Sequence, residues 1–224
     1  MEFLERTINM LGKDKFSKIQ NAKIIIIGVG GVGGYVLEML VRTGIENIDL
    51  VDFDKIEATN INRQIITTQE NVGNYKVEEA KKRALQINPR CNIKSLVEKV
   101  SISNLHKFNL HNYSYVIDCI DIVEDKMDLI EYCYKNNIKI ISSMGTGNKF
   151  GIPSYQIADI YKTEYDKLAK VIRKKCKERQ IKKLTVCYSK EKCMPNQKVS
   201  SVAYQPASCG IIIASYIINE LIKG

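Results

Sequence analysis

Apolar runs separated by short polar intervals divide this chain into alternating strands and helices. Four consecutive isoleucines, Ile24, Ile25, Ile26 and Ile27, suit a strand buried on both faces of a parallel sheet. After a glycine-rich turn, 35–42 reads as a helix and 48–52 as a second strand. A helix is predicted from 73 to about 88, stopped by Pro89, and a third strand over 92–97. Strands follow at 115–121, 138–142 and 184–189. A helix over 168–175 turns Leu168, Val171 and Ile172 inward and a basic face outward. Residues 7–20 read as a short helix anchored by Leu11, Phe16 and Ile19, and 210–223 as a closing helix. Between them, 191–200 is a polar stretch expected to be a mobile loop. The alternation predicts an α/β fold: a Rossmann-like, mostly parallel sheet with helices on both faces. One domain over 1–224 is expected, with a nucleotide-binding half over about 1–150 and a basic half over about 151–224.

The turn after the isoleucines is Gly28-Val29-Gly30-Gly31-Val32-Gly33-Gly34. Its glycines let the backbone approach a phosphate, and the following helix presents its N-terminal amides there. Asp52 ends the second strand, where a carboxylate commonly binds ribose hydroxyls. This much fits NAD, FAD or ATP. Asp54, Asn60, Arg63 and Gln64 then place a guanidinium just beyond the ribose-binding carboxylate. An arginine there can neutralise a triphosphate by bidentate contact, which hydride transfer does not need. Lys76 falls in a first helical turn, against the helix dipole, and a phosphate ligand would resolve that conflict. Asp121, at a strand's C-terminal end, is placed to hold Mg²⁺ together with phosphate oxygens. Asp118 points the other way and reads as structural. The glycine-rich stretch 143–150 also lies at a strand's C-terminal end.

With 224 residues and 45% apolar content, the chain can bury a full core. Its N-terminus is short and charged with no secretory pattern, and its longest apolar run is too short to span a bilayer; a cytoplasmic, non-membrane protein is expected. The net charge of +9 is localised. Residues 162–198 hold thirteen Lys or Arg against four Asp or Glu, while the remainder holds twenty-one of each. That segment is either a solvated helix face or an electrostatic footprint for nucleic acid. On the second reading Arg173, Lys174 and Lys175 contact RNA. The seven cysteines include no Cys-x-x-Cys pair, which argues against a zinc site of the usual spacing. His106 and His111 flank a surface turn and imply no chemistry.

Taken together, Gly-x-Gly-Gly-x-Gly, Asp52-x-Asp54 and Asn60-x-x-Arg63-Gln64 resemble the ubiquitin-activating-enzyme-like (ThiF/MoeB/HesA) adenylyltransferases, from about Arg6 to the C-terminal helix. The resemblance implies that Gly28, Gly30, Gly31, Gly33, Asp52, Asp54, Asn60, Arg63, Gln64 and Lys76 bind ATP. It implies catalytic roles for Arg63, Lys76, Asp121 and Arg6, with Mg²⁺ on Asp121. Arg6 would reach the ATP site of the partner subunit in a homodimer. Ile122 stands where the sulfur-carrier branch usually has asparagine, and that branch's paired zinc cysteines are absent.

The stretches 145–149, 158–163, 168–174 and 186–191 look like those of the tRNA threonylcarbamoyladenosine dehydratases. That branch implies ATP-dependent cyclisation of N6-threonylcarbamoyladenosine in tRNA, beside the anticodon. A rival is an adenylyltransferase for a ubiquitin-like sulfur-carrier protein, which would give the basic segment no role. A nicotinamide oxidoreductase and a non-catalytic tRNA-binding module also stand as alternatives. Still open are a monovalent cation, K⁺ or Na⁺, near the Gly-rich loop, and a cysteine taking sulfur from a cysteine desulfurase or another sulfur-transfer partner.

Overall fold

Strand β1 (Lys23–Ile27) runs through the middle of the molecule, its four isoleucines at most 2% exposed. The computed structural model describes residues 2–195 and 198–223. The remaining strands are β2 (Asn47–Val51), β3 (Asn92–Leu96), β4 (Tyr115–Asp118), β5 (Ile140–Ser143), β6 (Tyr155–Asp159) and β7 (Thr185–Ser189). They form one seven-stranded sheet in the order β3-β2-β1-β4-β5-β7-β6, with every pair parallel except β6–β7. Ile27 aligns with Val51 on one side and with Asp118 on the other. From β1 the chain winds outward through β2 and β3, then returns to place β4 on β1's other side. The strand order therefore reverses between β1 and β4, and a crevice opens there beyond the strands' C-terminal ends.

Helices α1 (Glu5–Leu11), α2 (Lys13–Asn21), α3 (Gly33–Thr43), α4 (Lys76–Ile87), α5 (Val123–Lys135), α6 (Lys167–Glu178) and α7 (Tyr204–Lys223) cover the sheet. The expected doubly wound α/β fold is found, with several boundaries moved. The helix predicted over 7–20 is two helices, broken where Gly12 takes φ +79°. Phe16 and Ile19 are buried anchors, while Leu11 is only half-buried. The fourth strand stops at Asp118, which leaves Asp121 on a loop. The fifth strand is Ile140–Ser143. In α6 the inward residues are Ala169, Ile172 and Cys176; Val171 is 42% exposed, contrary to expectation. The described part of 191–200 has neither helix nor strand, and Asn196 and Gln197 lie outside the described residues.

The closing helix begins at Tyr204, earlier than its periodicity suggested. Pro206 fits its first turn because that position has no intrahelical acceptor for an N–H. Helix α7 lies directly on α3: a Cβ at Gly210 would stand 2.6 Å from the Val32 carbonyl oxygen and 2.8 Å from the Tyr35 Cβ. The contact continues to the phosphate-loop sequence, where a Cβ at Gly31 would meet the Pro206 ring at 3.2 Å.

Candidate active site

The crevice between β1 and β4 holds a cavity of about 830 Å³. Its floor is the turn after β1. Gly28 takes φ +90°, and a Cβ there would lie 2.6 Å from the Cys119 carbonyl oxygen, so only glycine fits. Gly33 closes the same turn; its Cβ would overlap the Gly28 carbonyl oxygen at 1.9 Å. Gly28, Gly30 and Gly31 line the cavity, whereas Gly33 lies behind the lining as packing.

Asp52 fastens this turn to β2. Its Oδ2 accepts from the Val29 amide at 2.7 Å and its Oδ1 from the Asp54 amide at 2.9 Å. Burial raises the Asp52 carboxyl above its usual value, outweighing both backbone hydrogen bonds. Each oxygen keeps a lone pair for a ligand hydroxyl. Asp54 and the buried Lys76 face each other across the wall, Nζ to Oδ2 at 2.6 Å, and the Lys76 amide donates to the Asp54 carbonyl at 3.0 Å. The helix-dipole conflict at Lys76 is thus relieved within the chain by a carboxylate.

Arg63 and Gln64 come from the loop that follows β2. The Asn60 side chain accepts from the Glu57 amide at 3.1 Å, and its carbonyl accepts from the Arg63 and Gln64 amides at 3.1 and 3.0 Å. Asn60 does not line the cavity; it shapes the turn that presents its two neighbours. The Arg63 guanidinium donates to the Thr59 carbonyl and to the Asn62 Oδ1, both at 3.0 Å. It has no carboxylate partner among the described residues. Gln64 is 5% exposed and lines the cavity, yet its Oε1 has no hydrogen-bond partner among the described residues. An orphaned buried acceptor costs about 1–3 kcal/mol, which a ligand donor would recover. The glycine floor, two cations and this acceptor fit a nucleoside triphosphate.

Asp121 stands exposed on the opposite wall. No cluster of three or more metal-ligating side chains occurs among the described residues. One carboxylate suits Mg²⁺, which commonly takes one or two carboxylates and completes its shell with phosphate and water. Behind the wall Asp118 is fully buried: Lys126 Nζ lies 2.8 Å from its Oδ2, Ser142 Oγ donates to that oxygen at 2.5 Å, and the Ile120 amide donates to Oδ1 at 3.0 Å. Asp118 is structural, as its strand position suggested. Arg6 is exposed on α1 and does not line its own chain's cavity.

The far wall is the loop after β5, from Ser143 to Asn148, facing Asp166 and Lys167 at the start of α6. A buried ion pair clasps these together. Lys149 Nζ lies 3.0 Å from Asp166 Oδ2 and donates to the Gly145 carbonyl at 2.7 Å, while Asp166 Oδ1 caps α6 through the Ala169 amide at 2.9 Å. Sequence reasoning missed this clasp, although an aspartate just before an apolar-periodic run signals a helix N-cap. Cys119 and Cys193 also line the cavity. Burial pushes the Cys119 thiol well up, away from the reactive thiolate.

Of the basic residues singled out on α6, two are engaged within the chain. Arg173 donates to the Thr163 carbonyl at 2.9 Å and to its hydroxyl at 2.6 Å. Lys175 lies 2.5 Å from Glu124 on α5. Only Lys174 is fully exposed, with a loose 3.9 Å contact to Glu178. Of the three residues expected to meet RNA, Lys175 is thus in an ion pair and Arg173 in neutral hydrogen bonds within the chain, which leaves Lys174 the freest.

The fold and this site define a nucleotide-binding protein of the ThiF family; the chain belongs to it, the family model matching residues 4–223. Within the family it stands with the tRNA threonylcarbamoyladenosine dehydratases. It is 35% identical to the Bacillus subtilis tRNA threonylcarbamoyladenosine dehydratase over 95% of this chain and 92% of that protein. It is 36% identical to Saccharomyces cerevisiae tRNA threonylcarbamoyladenosine dehydratase 2 over 87% of this chain, which spans 44% of that longer relative. The crystal structure of Escherichia coli tRNA N6-threonylcarbamoyladenosine dehydratase, TcdA, in complex with ATP superposes with a TM-score of 0.94 at 31% identity, covering 99% of this chain and 94% of that one.

Proposed function

We propose that this protein is an enzyme that dehydrates N6-threonylcarbamoyladenosine in tRNA at the expense of ATP, giving the cyclic form. The observation that supports this most is the meeting of the glycine floor, Arg63, Lys76 and Asp121 on one cavity, facing a second wall that an acceptor can occupy. The threonyl carboxylate is a poor electrophile because its oxygen is a poor leaving group. The carboxylate attacks the α-phosphate of ATP and pyrophosphate departs. The neighbouring carbamoyl group then attacks the acyl carbon, a five-membered ring closes, a proton is released, and the carboxylate oxygen leaves with AMP. Ring closure is intramolecular, so positioning alone can supply several kcal/mol, up to about 10.

The protein's part is electrostatic. Arg63 and Lys76 offset charge on the phosphates, the α3 N-terminus offers amides to them, and Asp52 and Gln64 hold the nucleoside. Asp121 would hold Mg²⁺, which would supply neutralisation of phosphate charge. Two copies of the chain pair, so that Arg6 of the partner subunit reaches the phosphates. Mass spectrometry of nucleosides from tRNA incubated with protein and ATP tests the reading. Loss of one water from threonylcarbamoyladenosine, with one AMP per event, is expected; unchanged nucleoside overturns it.

A further inference from the structure

The basic segment sorts into engaged and free side chains. Lys175 and Arg179 pair with Glu124, Asp128 and Glu131 of α5, and Arg173 is held by Thr163. Lys167, Lys170 and Lys174 are exposed, and the first two have no carboxylate partner among the described residues. At spacings of three and four they share one face of α6. That face begins at the cavity, which Lys167 lines, and extends about 10 Å away from it at 1.5 Å per residue.

Beside the start of this stripe stands an aromatic side chain that packing does not explain. Tyr165 is 61% exposed and takes φ +59°, a conformation a bulky residue seldom adopts. The Asp166 amide donates to the Glu164 carbonyl at 2.7 Å, which puts Tyr165 at the apex of a tight turn. From a separate segment, Lys192 sets its ammonium 5.2 Å from the ring centroid. The next residue after each, Asp166 and Cys193, lines the cavity. Two segments therefore meet at the rim and present a ring with a cation beside it.

Resting on the tRNA reading above, we propose that Tyr165 and the stripe Lys167, Lys170 and Lys174 receive the single-stranded RNA flanking the reacting nucleotide. The ring stacks on a neighbouring base and the lysines meet the phosphates. A base worked on in a cavity must leave its stack, and exposed aromatic side chains are the usual partners of unstacked RNA bases. Lys192 reinforces the platform from the ring's other side or edge.

The test is fluorescence anisotropy with an RNA stem-loop carrying threonylcarbamoyladenosine in its loop, titrated with salt. Tyr165→Asn removes the ring while suiting the left-handed backbone, and Tyr165→Phe keeps it. We expect Asn to weaken RNA binding about 5- to 100-fold and Phe to bind as wild type. The triple variant Lys167→Ala, Lys170→Ala, Lys174→Ala should lower the salt slope by about 2, at about 0.7 per contact. Lys175→Gln, which only breaks an internal ion pair, should leave the slope unchanged. Wild-type affinity in Tyr165→Asn, equal losses in Asn and Phe, or an equal slope change from Lys175→Gln would each overturn the proposal. The dehydration assay on wild type separates the two readings: an active wild type with an unaffected Tyr165→Asn sinks the platform alone, while an inactive wild type sinks the function.

Discussion

The Lys76 ammonium stands 2.6 Å from the Asp54 carboxylate, with the lysine buried and the aspartate open to the cavity. The pair holds a cation on the cavity wall, in a partner arrangement that a phosphate can share. Lys76→Met should therefore raise the ATP Kd about 10-fold or more, because the phosphates lose a cation and meet an unpaired Asp54. Asp54→Asn should cost about 1 kcal/mol of stability by leaving a buried ammonium short of its carboxylate. Calorimetric ATP titration and thermal unfolding read the two effects separately.

Arg63 has its charge uncommitted, since its internal acceptors are a carbonyl and an amide oxygen. Arg63→Ala should slow AMP formation about 100-fold or more, and Asp121→Ala should do at least as much. Arg63→Lys should recover little, because an ammonium cannot make the bidentate contact. Single-turnover chromatography of AMP measures all three. A wild-type rate in either alanine variant means the phosphates lie elsewhere.

A site shared between subunits makes a distinct prediction. Arg6→Ala and Asp121→Ala proteins, each inactive alone, should regain activity when mixed, because a heterodimer contains one intact pairing of Arg6 with a complete cavity. The check is turnover after demonstrated subunit exchange. Silence in that mixture counts against Arg6 acting across an interface.

Glu38, buried on α3, predicts a pH dependence of stability. Burial alone would raise its carboxyl, but hydrogen bonds from Arg83 and Arg42 outweigh that and hold it below its usual value of 4.5. A lowered carboxyl contributes stability that is fully present above the unfolded value and is lost as pH falls below it. Glu38→Gln should thus be less stable at pH 7 by about 2 kcal/mol, with the gap closing as pH drops below about 4.5. Denaturant unfolding of both proteins across that range decides the point; a gap independent of pH would mean shape, not charge, is what Glu38 supplies.

The strands and turns around the cavity floor could be read from sequence because their signals are local. A four-residue isoleucine run, a glycine turn and a carboxylate at the end of β2 are each fixed by neighbours in the chain. Helix α5 escaped notice: its inward residues, Met127, Leu129, Ile130 and Cys133, are mixed with buried Lys126, whose partner Asp118 lies on another element. Edge strand β6 fully buries only Tyr155, so it lacks the apolar run that marks the inner strands and reads as a motif rather than a strand. Charge counting could not separate Arg173 and Lys175 from Lys174, because Thr163 and Glu124 meet them only through the fold. Gly33 and Asn60 belong to the nucleotide motif in sequence but serve its backbone geometry in space.

The packing of α7 on α3 sets a timetable for synthesis. Gly31 leaves the ribosome 175 residues ahead of Pro206, which completes the wall beside it. At about 5–20 residues per second the glycine turn waits roughly 9–35 s for its backing. Throughout that interval the α3 surface destined for Gly210 faces solvent or a chaperone. Newly made chains should therefore acquire ATP affinity late and all at once, when the closing helix docks.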